Sequence, residues 1–232
     1  KDDAGTVDCE SLIPGESCAG GAGVCNKEGA CIANFPYTPS NFDVSDLPAT
    51  DGGTTLSVTG NVTVNTDNGT IVPGAMPPFR FIGSDAGYTQ VMLIHVDQLA
   101  VASGGTLTFN GATPVIIAVG ENATIDGTIK TWAGAGGSAL CGASLGANGI
   151  VGSSGGGGAG GGAFGGAGGR GGLSGPPSGT SAGPGGDGGV IGGTVTLLPL
   201  RGGCSGGAGG SGGAGGVGGG ALQLSSAKTL SI

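Results

Sequence analysis

From residue 53 onward the chain alternates apolar and polar residues. Thr55-Leu-Ser-Val-Thr59, Asn61-Val-Thr-Val64 and Thr70-Ile-Val72 put an aliphatic side chain on every second position, the period of a half-buried strand. Phe79-Arg-Phe-Ile82 and Gln90-Val-Met-Leu-Ile-His-Val96 follow, and no stretch has a helical period. Val, Ile and Thr fill these runs, and Gly, Asn and Asp separate them, as strands and turns require. Thr106-Leu-Thr-Phe-Asn-Gly111 and Thr124-Ile-Asp-Gly127 recur about 18 residues apart. We read them as successive rungs of a parallel β-solenoid. A β-sandwich is the alternative, but the connections are short for sandwich crossovers.

The period then changes from two to three. Residues 206–220 are five uninterrupted Gly-Gly-X triplets, and the beat returns in Gly165–Leu173 and, more loosely, Gly185–Gly193. Of the 60 glycines, 42 lie between Gly134 and Gly220, so this is one block and not a general bias. A period of three suits a left-handed extended helix with three residues per turn. With Gly on two of its three edges, such a helix packs against its neighbours through bare backbone. A flexible linker is the competing reading, because each ordered residue loses roughly 1–2 kcal/mol of backbone freedom and Gly loses most. Three features favour order: the triplet phase is kept, turn-like breaks occur at Ser174-Gly-Pro-Pro-Ser178 and Ala182-Gly-Pro184, and Cys141 and Cys204 bracket the block. Collagen needs Pro-rich X and Y positions, whereas here Pro is confined to the breaks.

The two flanks of the block match. Pro114-Val-Ile-Ile-Ala-Val119 leads through a polar turn to Ala123-Thr-Ile125, and Gly220-Ala-Leu-Gln-Leu224 leads likewise to Thr229-Leu-Ser-Ile232. The chain therefore leaves its scaffold after Trp132, makes a glycine-rich excursion and returns in register. Thr194–Leu200 reads as one further strand inside the excursion. The expected organisation is a Cys-rich module (1–33), a Pro/Asp/Ser linker (34–52), solenoid strands (53–133), a polyglycine insertion (134–219) and a returning rung (220–232). The fold class is all-β: a parallel β-solenoid with a large polyglycine II insertion and a small disulfide-rich module.

Composition narrows the setting. Charged residues are 9% and the net charge is −8. Ten of the fifteen acids fall by Asp67, and the excursion holds only Arg170, Asp187 and Arg201. Without a basic patch, nucleic acid is not an expected partner. No apolar run reaches the length of a membrane span. The start at Lys1-Asp-Asp-Ala suits either a processed product or a trimmed chain. Six cysteines are even in number, and Cys9, Cys18, Cys25 and Cys31 crowd one short region. Disulfides in an oxidising compartment fit best. Zinc is the competing use, but Cys-x2-Cys spacing is absent and the single His95 is distant. Four cysteines allow three pairings and sequence cannot choose among them; we take the interleaved one, Cys9–Cys25 with Cys18–Cys31. Cys141 with Cys204 closes the excursion.

Candidate chemistry is sparse. Asp97, Glu121 and Asp126 lie near strands, and paired carboxylates are what glycoside hydrolysis requires. Solvated acids at coil corners are the plainer reading. His95 has no nucleophile motif beside it and reads as an ordinary hydrogen-bonded strand residue. Gly185-Gly-Asp-Gly-Gly189 has part of a calcium repeat but lacks the nine-residue period. Gly-x-Gly-x-x-Gly matches arise here from composition alone. Asn61, Asn68 and Asn122 open glycosylation sequons. No catalytic group, metal or cofactor is expected.

Gly105-Thr-Leu, Ile125-Asp-Gly-Thr-Ile129, the Gly-Gly-X block and Gly219-Gly-Ala-Leu-Gln-Leu224 together resemble the secreted glycine-rich β-helix proteins of myxobacteria and related bacteria, over about residues 90–232. The Cys-rich leader is similar to the short Cys modules such proteins carry. The resemblance implies the architecture and a secreted setting, and no catalytic residues. The Gly-Gly-X block separately resembles the polyglycine bundles of springtail antifreeze proteins and of phage-tail adhesin tips.

Three functions are in contention. The first is a self-assembling subunit of an extracellular filament, sheath or surface layer. Its assembly edge is Leu222, Leu224, Leu230 and Ile232, stacked head-to-tail on the opposite edge near Leu56–Val64. The second is a surface-binding module, an adhesin or an ice binder, with Ala159, Ala167, Ala208, Ser211 and Ala214 supplying small residues. The third is a non-catalytic remnant of a β-helix polysaccharide-active enzyme.

Overall fold

The computed structural model describes residue 9 and residues 13–83, 90–131, 141–152, 155–164, 166–174, 182–193, 198 and 200–232. Trp132, the break at 175–178 and most of the strand expected at Thr194–Leu200 lie outside the described residues. The chain forms two compact units: Lys1–Lys130 with Leu222–Ile232, and Thr131–Ala221. Among the described residues there is no α-helix, and short 3-10 turns lie at Ala19–Gly21, Val44–Asp46 and Gly142–Ser144.

The first unit begins with β1 (Ser17–Cys18), β2 (Gly23–Cys25) and β3 (Cys31–Ala33), an antiparallel sheet in that order. Cys25 stands opposite Cys31 in the β2–β3 register, yet each bonds elsewhere: Cys9 to Cys25 and Cys18 to Cys31. The two bridges thus cross-link β2 and β3 outward rather than to each other. Gly23 has no room for a side chain, since a Cβ would lie 2.7 Å from Ile32 O and 2.8 Å from Cys31 Sγ.

Residues 34–52 pack as part of this unit. Phe35, Phe42 and Leu47 are buried, and Phe35 meets both Tyr37 and Phe42 edge to face. Asn26 Nδ2 donates to Leu47 O, and Lys27 N donates to Ser45 O. A Pro/Asp/Ser composition suggested a linker; three large apolar anchors make it a packed layer.

The remaining strands of this unit are β4 (Thr55–Val58), β5 (Asn61–Asn65), β6 (Thr70–Val72), β7 (Phe79–Ile82), β8 (Val91–Val96), β9 (Gln98–Val101), β10 (Thr106–Asn110), β11 (Val115–Val119), β12 (Ala123–Ile125) and β13 (Thr128–Thr131). The second unit contributes β14 (Val151–Gly152) and β15 (Gly155–Gly156), and the chain returns as β16 (Leu222–Ser226) and β17 (Leu230–Ser231). Three four-stranded sheets result, ordered β13-β10-β5-β6, β16-β11-β8-β7 and β17-β12-β9-β4. The ladders β4–β9, β5–β10, β8–β11, β9–β12, β11–β16 and β12–β17 are all parallel. Within these three sheets β6 and β7 pair antiparallel, to β5 and β8.

Sequence alternation maps onto burial. β4, β5 and β12 bury alternate residues. β8 and β11 are buried throughout, as strands covered on both faces are. Their inner residues, Met92, Ile94, Val96, Val115, Ile117 and Val119, join one core with Leu56, Val58, Val62, Val64, Leu107 and Phe109. Each such side chain contributes about 1.5–3 kcal/mol of burial. Their outer residues, Leu93, His95, Ile116 and Ala118, are also buried; His95 lies under residue 48, and Gly120 lies against Ala33.

The repeat along these sheets corrects the motif spacing. Val115 stands opposite Met92 and Ala123 opposite Leu99, offsets of 23 and 24 residues, and Gln98 opposite Thr55 and Thr106 opposite Asn61, offsets of 43 and 45; none is about 18. Thr106–Asn110 and Thr124–Ile125 belong to different sheets, so the recurring motif marks neighbouring faces rather than stacked positions.

In the second unit, stretches 141–152, 155–164, 166–174, 182–193, 200–210 and 212–220 bond through backbone amides at three-residue intervals. Gly157, Gly160 and Ala163 donate to Ile150, Ala147 and Ser144, while Gly158 and Gly161 donate to Gly172 and Gly169. Cys204, Gly207 and Gly210 donate to Ala163, Gly160 and Gly157, and Gly186 and Gly189 donate to Gly158 and Gly161. Stretch 155–164 therefore has four bonded neighbours. It runs parallel to 182–193 and antiparallel to the other three. Cys141 and Cys204 are joined. Arg201 donates to Gly192 O and lies 5.0 Å from the Phe164 ring centroid. Ala182-Gly-Pro184 is not a turn: Gly183 O accepts from Ser174 N, and Pro184 O accepts from Ile150 N, so it opens a bonded stretch.

Candidate functional site

His95 and Asp97 bond to backbone, and Glu121 bonds to neighbouring side chains. His95, in β8, is 1% exposed. Its Nδ1 lies 2.6 Å from Pro48 O, so Nδ1 carries the proton and donates. Its buried Nε2 has no partner among the described residues. Burial pushes the imidazole below its ordinary pKa, against smaller opposing pulls from the Pro48 carbonyl and Asp97.

The structure brings Asp97 and Glu121 to one corner, and both are engaged. Asp97 Oδ1 accepts from Thr50 Oγ1 at 2.8 Å, and its Oδ2 accepts from Gly53 N and Thr54 N, each at 2.6 Å. Glu121 accepts from Lys228 Nζ at 2.7 Å and Gln98 Nε2 at 3.2 Å. These two bonds, Lys228 first, hold the Glu121 carboxyl below the usual carboxylate range. Backbone bonds run along the same corner: Asp97 N to Thr54 O, Glu121 N to Asp97 O and Lys228 N to Glu121 O. Asp126 is exposed on a separate turn.

Other candidates fall as follows. Cys9, Cys18 and Cys25 place their sulfurs within 4.8 Å of one another, but all three are in disulfides and offer no thiolate to zinc. Asp187 of the Gly185–Gly189 motif is exposed and pairs with Arg170 at 3.2 Å. Asn61 and Asn122 are exposed. The Asn68 side chain accepts from Thr70 N and Oγ1.

Leu222 and Leu224 are half-buried against the core, while Leu230 is 44% and Ile232 89% exposed. β16 and β17 stand at the ends of their sheets among the described residues. The opposite edge expected at Leu56–Val64 is open only in part, at Leu56 and Val58 of β4, while Val62 and Val64 of β5 are covered. β6 pairs with β5 and β7 with β8, both antiparallel, leaving only β4 as an uncovered parallel edge. Alternation alone gives strand existence and says nothing of direction, so this cover was invisible in the sequence.

Of Ala159, Ala167, Ala208, Ser211 and Ala214, three are exposed: Ala167, Ser211 and Ala214. The five fall on several stretches, and Ala159 and Ala208 are half-buried.

The glycines of the second unit divide into two kinds. A Cβ on Gly160, Gly168, Gly186, Gly188, Gly189 or Gly218 would overlap a carbonyl of an adjoining stretch, whereas one on Gly166, Gly169, Gly172, Gly213, Gly216 or Gly219 would meet nothing within 4 Å. None of these twelve has a left-handed φ. Glycine is thus needed at the first set for close approach. The second set marks two bare rims, on 166–174 and 213–219, both exposed.

Comparison with protein-family models, with curated proteins and with solved structures finds no match to this chain. Among the described residues no helix is long and apolar enough to cross a membrane.

Proposed function

We propose that the protein is an extracellular structural subunit that assembles through unpaired backbone edges. In this reading the three sheets are the faces of a parallel β-solenoid. The 23- and 24-residue offsets of β11 on β8 and of β12 on β9 support that, as does the return of β16 onto β11. The glycine-rich unit is a polyglycine II bundle. Amides that address different neighbours at three-residue intervals support it, since threefold helices present their donors that way. Three disulfides are compatible with an oxidising extracellular setting.

The observation that carries the assembling function is that backbone edges stand unpaired among the described residues, both at β16 and β17, where Leu230 and Ile232 are exposed, and on the bare rims of the glycine-rich unit. An unpaired edge of this kind is a template for another chain. Whole-rung stacking onto the far end does not follow, because β6 and β7 cover two of the three sheets there. Negative-stain microscopy of the native protein tests the function. Filaments or sheets support it, and monodisperse particles at high concentration contradict it.

A surface-binding module is the second reading. One observation favours it: Leu145, Val151, Leu173, Val190 and Val217 are exposed on the glycine-rich unit, and exposed apolar side chains mark contact surfaces when they cluster. The dispersed Ala and Ser set supports an adhesin over an ice binder. Thermal hysteresis in the monomer would reverse that preference.

A further inference from the structure

Stretches 166–174 and 213–219 are the rims of the glycine-rich unit. In 166–174, Gly168, Gly171 and Ser174 donate to Gly189, Gly186 and Gly183, and the Gly169 and Gly172 carbonyls accept from Gly161 and Gly158. The amides of Ala167, Gly169, Arg170, Gly172 and Leu173 have no partner among the described residues. In 213–219, the carbonyls of Gly213, Gly216 and Gly219 accept from Gly209, Gly206 and Gly203. The amides of residues 213–217 and of Gly219 have no partner among the described residues, nor do the carbonyls of Ala214, Gly215, Val217 and Gly218, while Gly218 N donates to the Ser205 hydroxyl.

Each rim therefore resembles an interior stretch that lacks a neighbour among the described residues. On 166–174 the unpartnered donors recur every three residues, about 9 Å apart in a threefold helix. The outward Cα atoms of each rim are bare, which is the condition for close approach inside the unit. A second, independent feature lies on the same rims: Leu173 is 69% and Val217 65% exposed, and a neighbour would cover both. Charge does not oppose the contact. Stretch 213–219 has no charge, and the one charge of 166–174, Arg170, is paired with Asp187.

We propose that the rim 166–174 of one copy pairs with the rim 213–219 of a second copy of this chain, extending the bundle sideways. The two rims are different surfaces, so the contact is heterologous and propagates unless its rotation closes a ring. This proposal rests on the assembling function above and locates it on the glycine-rich unit instead of the β16–β17 edge.

Sedimentation velocity of the full chain over a concentration series tests it with three variants. Gly169→Val and Gly216→Val place a branched side chain where the single copy has open space, and block close approach by a neighbour. Leu230→Lys charges the β16–β17 edge. The expected result is concentration-dependent association of the parent, weakened at least tenfold by each rim variant and unchanged by Leu230→Lys. Amide protection of Gly203–Gly210 should remain at parental levels in the rim variants, showing that the unit still folds. If Leu230→Lys abolishes association and the rim variants do not, the rim contact is wrong and the assembling function stands. If the parent stays monomeric at millimolar concentration, both fall.

Discussion

Val115 stands opposite Leu222 in a parallel ladder, although 106 residues and an entire second unit separate them. Ala123 stands opposite Leu230 at the same offset, so both strands of the returning segment keep register. Leu222 and Leu224 pack onto the core that β11 completes. Leu224→Ala should cost about 1–2 kcal/mol, the low end for truncating a large aliphatic because the site is only half-buried. The midpoint of the far-ultraviolet β signal in guanidinium measures it. An unchanged midpoint would place 222–226 outside the cooperative fold.

The in-register return was legible, because Pro114–Ile125 and Gly220–Ile232 share one pattern. So was the alternation of β4 and β5. The register between the other strands was not, because Thr-apolar-Thr motifs recur on neighbouring sheets and the connections between paired strands vary in length. Burial of 34–52 was masked by turn-forming residues around Phe35, Phe42 and Leu47. In the glycine-rich unit the period of three was plain, but which stretches adjoin was not. Glycine has no side chain to encode a partner. The corner ladder through Asp97, Glu121 and Lys228 needed the register before those charges could be placed together.

His95 makes stability fall with acid. Its folded pKa is depressed by burial below the ordinary value of 6.5. The unfolded state therefore binds the proton first, and stability is full above about pH 6.5 and is lost as pH falls below it. The Asp43 carboxyl, held low by Ser45, and the exposed Glu121 act only near and below pH 4. His95→Gln keeps a donor for Pro48 O and removes the titration. Between pH 7 and 5 the parent's denaturation midpoint should drop while that of His95→Gln stays flat. Parallel curves would assign the loss to other groups.

Close approach and open space predict opposite effects for one chemical change. Gly186→Ala drives a Cβ into Ala147 O, while Gly216→Ala enters free space. The first should destabilise the second unit by about 1–3 kcal/mol, as overpacking does. The second should be neutral or stabilise by about 0.4–1 kcal/mol through the unfolded chain. Hydrogen exchange of amides in 203–210 reads both. Equal effects would mean the stretches are not in contact.

All six cysteines are bonded, so thiol titration of the denatured, unreduced protein should find no free thiol. The Cys141–Cys204 bridge spans 63 residues, a closure that chain-entropy arguments value at about 4 kcal/mol. The Cys141→Ser, Cys204→Ser double variant should lose up to that amount from the second unit, with β8 and β11 amides unaffected. Loss spread equally over both units would contradict their separate cooperativity.

Residue-resolved amide exchange across 203–219 tests the central claim most directly. The account predicts slow exchange at Gly203, Cys204, Gly206, Gly207, Gly209 and Gly210, whose amides donate to neighbouring stretches. In dilute monomer, Ala214, Gly216 and Val217 should exchange fast. Random-coil rates at all of these positions would show that the tract is a tether, and the rims through which a copy is proposed to pair would not exist.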